Sequence, residues 1–150
     1  MRLVIQRVLE ASVTIDGAVK SSIGEGFMIL VGVEGDDSKE DVDWLVKKVI
    51  NLRVFDDEAG VMNRSILDHG GEILAISQFT LHASTRKGNR PSYIRAARPE
   101  VAEPLYRSFI DELNKHLPKP CEEGTFGADM KVALINIGPV TIIIDSKLRE

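Results

Sequence analysis

The chain is 150 residues long, which favours one domain able to bury roughly 70% of the surface its unfolded form exposes, so no staple is required. The single cysteine, Cys121, excludes an internal disulfide and a cysteine-built zinc site, and 19 basic against 23 acidic side chains, a net −4, argue against indiscriminate nucleic-acid binding. No apolar run approaches the ~20 residues of a membrane helix and no basic-then-apolar leader opens the sequence, so a soluble, cytoplasmic protein with neither membrane nor DNA as partner is expected.

Leu3 to Val8 and Ser12 to Ile15 read as two short strands separated by Leu9-Glu10-Ala11. Asp16-Gly17 predicts a hairpin whose second strand returns over Ala18 to Ile23. Gly24-Glu25-Gly26 turns the chain into Phe27 to Val33, an apolar run long enough for a central strand. That Gly-x-Gly precedes a strand and opens no helix, which excludes a dinucleotide fingerprint.

From Ser38 the apolar period lengthens. Val42, Leu45, Val46, Val49 and Ile50 predict a helix over about Lys39 to Asn51, with Ser38 and Asp41 as a capping box and Trp44 beside the stripe as partial core or interface. Leu52 to Phe55 reads as a strand, Asp56 to Gly60 as a turn and Val61 to Asn63 as the return. The three consecutive acids lack any fixed hard-cation spacing and read as a solvated turn. His69, His82 and His116 are scattered with no pair at ligand spacing, so neither a metal nor a cofactor is expected.

Gly71 opens the stretch on which the chain is organised. Ile73 to Ile76 form a continuous apolar run, as in a strand buried on both faces, and three polar side chains follow at Ser77, Gln78 and Thr80. Buried hydroxyls and an amide need hydrogen-bond partners, which are either the backbone that such groups cap or a ligand. Ser84 to Arg98 then holds five basic residues and no acid. A solvated surface loop and an RNA contact both fit it; arginines offer forks of donors for phosphate and Tyr93 a stacking face. Glu100 to Leu117 carries Val101, Leu105, Phe109 and Leu113 at intervals of four, an amphipathic helix that Pro104 should kink or delay and Pro118 and Pro120 end. Cys121 to Ala128 reads as a polar connector with Phe126 pinned inward, and Met130 to Ile135 and Val140 to Ile144 as strands on either side of Asn136-Ile137-Gly138-Pro139.

The pattern is a single α/β domain with a mixed, curved or barrel-like sheet and two main helices. Runs such as Phe27 to Val33 and Thr141 to Ile144 are apolar on both faces, and a homodimer would supply cover that two helices do not. Gly138-Pro139 is the second unusual feature, because proline cannot donate to a sheet ladder and belongs at a strand's start or edge; most X-Pro bonds are trans.

Ser77-Gln78-Phe79-Thr80-Leu81 together with Asn136-Ile137-Gly138-Pro139-Val140-Thr141 resembles the paired signature of the D-aminoacyl-tRNA deacylases. Gln6-Arg7-Val8, Ala11-Ser12-Val13, Met62-Asn63, Gly88-x-Arg90-Pro91-Ser92 and Ala128-Asp129-Met130 extend the likeness over nearly the whole chain; Ile137 stands where an acidic residue is expected in many relatives. The resemblance implies a metal-free homodimer that hydrolyses the ester of D-aminoacyl-tRNA, and of glycine mischarged on tRNA. It implies a reaction centre at Ser77, Gln78, Phe79 and Thr80, and a cis Gly138-Pro139 chiral filter reaching into the partner's pocket. Met130 and Phe126 join Gly138 and Pro139 on the substrate side, and Arg86, Lys87, Arg90 and Arg95 are the expected tRNA contacts. Thr80 is expected to orient the ester carbonyl, since a threonine hydroxyl is a weak nucleophile without an adjacent base. An RNA-binding module without activity and a hydrolase or isomerase of small free molecules are the competing readings.

Overall fold

One strand that bends decides the architecture. The computed structural model describes residues 1–149. Its strands are β1 (Arg2–Ile15), β2 (Ala18–Ile23), β3 (Gly26–Gly32), β4 (Phe55–Asp56), β5 (Met62–Arg64), β6 (Glu72–Ser77), β7 (Glu122–Glu123) and β8 (Lys131–Asp145). Its α-helices are α1 (Lys39–Asn51), α2 (Ile66–His69) and α3 (Pro99–Asn114).

The two expected opening strands are a single one. At Leu9 and Glu10, both exposed, β1 does not end; its register with β8 shifts instead. The first half of β1 pairs antiparallel with β3 and the second half with β2, across the Asp16-Gly17 turn, where φ is 51° and 79°. β6 lies parallel to β3, and β7 parallel to β6. The Ser21 hydroxyl on β2 then donates to the Glu123 carbonyl on β7 at 2.8 Å, so the sheet curls until its edges nearly meet. The expected mixed, barrel-like sheet is present.

That curl explains the continuous apolar runs. In β3, Phe27, Ile29 and Val31 face the helices while Met28 faces the barrel interior; in β6, Ile73 and Ala75 face the helices while Leu74 and Ile76 face inward. Both faces of these strands are therefore covered by the chain's own residues. β8 differs: it too is one strand where two were expected, and it leaves Ile135 at 50% and Ile143 at 67% exposure.

α1 has the expected bounds and buries Val42, Leu45, Val46, Val49 and Ile50. Trp44 is half-buried, with Lys48 and Arg149 over its ring. At the helix start, Asp41 accepts from the Ser38 N–H at 2.8 Å and from Lys147 Nζ at 3.1 Å. Burial by itself would raise the Asp41 carboxyl, but hydrogen bonds from Ser146, Ser38 and Lys147 outweigh it and hold the group well below the usual carboxylate range. A depressed carboxyl stabilises the fold above its ordinary value of 3.8 and loses that contribution as the pH falls below it. Asp41→Asn is expected to cost about 1–2 kcal/mol in urea unfolding at neutral pH, with the gap to the unmodified protein narrowing toward about pH 3.

Four expectations are corrected. Leu52 to Val54 is not strand; only Phe55–Asp56 pairs with Met62–Arg64, because Val54 gives its carbonyl to a side chain, Arg7. A third, short helix, α2, joins the two main helices expected, its N-cap Ser65 accepting from the Asp68 N–H at 3.1 Å. α3 starts at Pro99 without delay, and its Pro104 sits early enough to lose only one helical bond; its buried stripe is Ala102, Tyr106, Phe109, Ile110 and Leu113, with Val101 exposed. Within the expected connector, Glu122–Glu123 pairs with β6.

Candidate active site

β6 delivers its polar end into a cavity. The Gln78 N–H donates to the Val31 carbonyl at 2.8 Å, prolonging the parallel ladder by one residue, and Phe79–His82 then coil into a 3-10 turn. The tight turn follows because strand pairing ends there: Ala83 N–H donates to the Thr80 carbonyl at 3.0 Å. Ser77, Gln78 and Phe79 line a cavity of about 600 Å³ over an apolar floor of Val31 and Ile76. Ala97 and Arg98, at the start of α3, and Phe126 to Met130 also line it.

Thr80 is not part of that lining; it is half-buried next to it and held by its neighbour. Gln78 Nε2 donates to Thr80 Oγ1 at 2.6 Å, which leaves the threonine's own proton available to an outside acceptor. Among the described residues, no imidazole, amine or carboxylate is hydrogen-bonded to the Ser77 or Thr80 hydroxyl. Phe79 is 54% exposed and meets Tyr93 edge-on at 5.0 Å, an aromatic pair at the cavity mouth. Beneath the site, the Tyr106 hydroxyl donates to the Ala75 carbonyl at 3.0 Å and its ring packs on Phe126. Burial pushes the Cys121 thiol up to about 12, with Glu123 and Glu122 adding to the effect, so this cysteine remains an unreactive thiol at neutral pH. No group of three or more His, Cys, Asp and Glu suited to a metal ion occurs among the described residues, nor any helix long and apolar enough to cross a membrane.

Gly138 and Pro139 do not line the cavity. They lie in a bulge of β8: Gln6 pairs with Thr141 and Val8 with Asn136, so Arg7 alone stands opposite Ile137, Gly138, Pro139 and Val140. The Gly138-Pro139 bond is cis, and both residues are exposed. Arg7, 8% exposed, donates from Nε to the Ile137 carbonyl at 3.3 Å and from Nη1 to the Val54 carbonyl at 2.5 Å. The contact at Ile137 is made by its carbonyl, not its side chain. Gly138 is at φ 118°, and a Cβ there would lie 2.9 Å from Val140 Cγ2 and 3.2 Å from Arg7 Nη2. Arg7 stands in the family-like run Gln6-Arg7-Val8 with no role read for it, yet it follows Leu3 and Ile5 at the inward parity of β1, and an arginine at a core parity is the signal that reveals its role.

The basic segment between the 3-10 turn and α3 is an exposed loop tied by reciprocal Ser84 and Ser92 backbone bonds of 2.8 and 2.9 Å. Arg86, Lys87 and Arg90 have no ion-pair partner among the described residues, whereas Arg95 is engaged by Glu34 at 2.6 Å. Arg98 and Asp129 are the charged groups that sequence reading did not pick out for the cavity.

A family model described as D-Tyr-tRNA(Tyr) deacylase matches residues 4–145, which includes every element of this site. The chain belongs to that deacylase family. A D-aminoacyl-tRNA deacylase of Bacteroides thetaiotaomicron is 65% identical over 150 residues, covering all of both chains. The solved structure of a protein called c-Myc DNA unwinding element binding protein superposes with a TM-score of 0.92 at 43% identity, covering 97% of this chain and 98% of the other. A structure described as a probable eukaryotic D-amino acid tRNA deacylase gives 0.80 at 17% identity over 95% and 97% of the two chains, a likeness of fold. Deacylase membership makes the chain an ester hydrolase acting on aminoacyl-tRNA, and its fold is the deacylase fold.

Proposed function

We propose that the cavity beside β6 binds the aminoacylated end of tRNA and hydrolyses the ester to a D-amino acid or to glycine, with L-aminoacyl-tRNA excluded by Gly138-Pro139 of a partner subunit. The observation that carries this is the meeting of a mostly apolar cavity, a strand-end set of oriented polar groups and an adjacent cationic loop. An aminoacyl ester is already activated, so its hydrolysis needs orientation, a water and stabilisation of the developing oxyanion more than a strong nucleophile. In this reading Thr80, whose oxygen accepts from Gln78, donates to the carbonyl, and the substrate's own 2′-hydroxyl helps to activate the water. The carbonyls around Gly138 and Pro139 take the α-ammonium, leaving room for a side chain on one side of Cα only. Any D side chain then points outward, an L side chain clashes, and glycine passes because it has nothing to clash.

In this reading the filter comes from a second copy, which is supported by Gly138 and Pro139 lying outside their own cavity, on a strand that leaves Ile135 and Ile143 exposed. Ile143→Asp is expected to convert a dimer to a monomer in sedimentation, and to lower kcat/KM by about 100-fold because the partner's filter is lost from each site. Arg86, Lys87 and Arg90 are the phosphate contacts of this reading. Neutralising them is expected to raise KM for all charged tRNAs alike and to flatten the rise of KM with salt, since fewer counterions are released on binding.

Deacylation of matched D-Tyr-tRNA and L-Tyr-tRNA by the purified protein tests the whole. Loss of the D ester alone is the expected result. Cleavage of neither leaves an RNA-binding module, cleavage of both removes the filter from Gly138-Pro139, and equal turnover of a simple D-tyrosine ester makes the tRNA moiety irrelevant.

A further inference from the structure

His82 closes the 3-10 turn that carries Phe79 and Thr80, and it is 1% exposed. Neither of its ring nitrogens has a hydrogen-bond partner among the described residues. The ring fits because residue 32 is glycine: a Cβ there would lie 3.0 Å from His82 Nε2 and 3.1 Å from Cδ2. His82 Nδ1 stands 3.5 Å from Glu34 Oε1, the same oxygen that Arg95 Nη2 approaches at 2.6 Å.

Glu34 is itself buried, at 7% exposure, and is held from both sides of its backbone. Its N–H donates to Asp37 Oδ2 at 2.7 Å, and its residue bridges to Ala96 just past the end of β3. The Ala97 N–H donates to the Val33 carbonyl at 2.9 Å, so the far end of the basic loop is stitched to the same segment. His82 and Arg95 flank that loop in sequence, and both ends meet at one carboxylate. A buried carboxylate is costly unless paired, so its partners are fixed by it as much as it is by them.

We propose that Glu34 is a positioning residue for the tRNA end of the substrate. By pairing with Arg95 and standing against His82, it closes the base of the loop and keeps Arg86, Lys87 and Arg90 in a fixed place relative to the Phe79–Thr80 turn. The inference rests on the reading of that loop as the tRNA contact.

Glu34→Gln, Arg95→Gln and their double combination test it by two independent readouts, limited trypsin cleavage after Arg86 and Lys87, and steady-state deacylation of D-Tyr-tRNA. Each single change is expected to speed cleavage about tenfold, because the loop opens more often. Each raises KM about tenfold with kcat changed less than about threefold, and the double variant is no worse than the worse single one, since both remove the same pairing. The salt dependence of KM in Glu34→Gln stays that of the unmodified protein, because no phosphate contact is removed. Arg95 is 56% exposed on its side chain, so Arg95→Gln keeps the test open should Glu34→Gln fail to fold. Unchanged cleavage, or additive effects on KM, overturns the clasp. Faster cleavage with unchanged KM overturns its positioning role while deacylation persists; absence of turnover in the unmodified protein is the separate failure of the functional reading, and takes this inference with it.

Discussion

Gly138→Ala is expected to lower kcat/KM for D-aminoacyl-tRNA by about 100-fold, because a filter displaced by even an ångström no longer orients the ester. The displacement follows from the geometry. Residue 138 is at φ 118°, which an L residue adopts only with strain of about 1–3 kcal/mol. The added Cβ would also fall 3.0 Å from the Val140 nitrogen and 2.9 Å from Val140 Cγ2. Backbone and a short branched side chain have little freedom to move, and on the other side Arg7 is committed to the Ile137 and Val54 carbonyls. The bulge itself must shift. Matched assays with D-Tyr-tRNA, L-Tyr-tRNA and Gly-tRNA check this: activity on the D-tyrosyl and glycyl esters should fall, and the D-to-L ratio should narrow as the filter loses its shape. A variant with unchanged discrimination and a melting temperature near that of the unmodified protein would show that the substrate does not meet this bulge.

The second large effect is expected at Thr80. Thr80→Val keeps the shape and removes the hydroxyl, and should reduce kcat by about 100- to 1000-fold, the range for losing one donor to a developing oxyanion. Residual turnover above the uncatalysed rate is part of the expectation, since the neighbouring backbone N–H groups and the substrate's own hydroxyl remain. Thr80→Ser, which restores the donor, should recover most of the loss. Gln78→Ala should act in the same direction but less strongly, because it frees the Thr80 hydroxyl to rotate instead of deleting it. Single-turnover measurements at saturating enzyme separate this from binding. If Thr80→Val bound charged tRNA normally and hydrolysed none, a covalent role for the hydroxyl would replace the orienting one.

Local pattern determined much of this protein without help from the fold. The helix Lys39–Asn51, its Ser38 cap, the Asp16-Gly17 hairpin and the apolar strand Ile73 to Ile76 are all visible in the order of residues, because each depends on neighbours within about four positions. Membership of the deacylase family was legible in the same way, since its two signatures are contiguous runs. The tertiary structure alone decided what depends on distant partners. β1 and β8 each continue through segments that locally resemble turns, because eleven residues of one pair along the other and the extra residues are absorbed as a bulge. Ser77, Phe79, Phe126 and Met130 share a cavity only because β6 ends where the segment after β7 crosses it. Arg7 reads as one more polar residue in an alternating strand until Val54 and Ile137 are brought to it from 47 and 130 positions away. His82 and Glu34 carry no motif at all. Their meeting with Arg95 exists only once the chain has closed the loop, since side-chain hydrogen bonds and ion pairs between remote residues leave no period in a sequence.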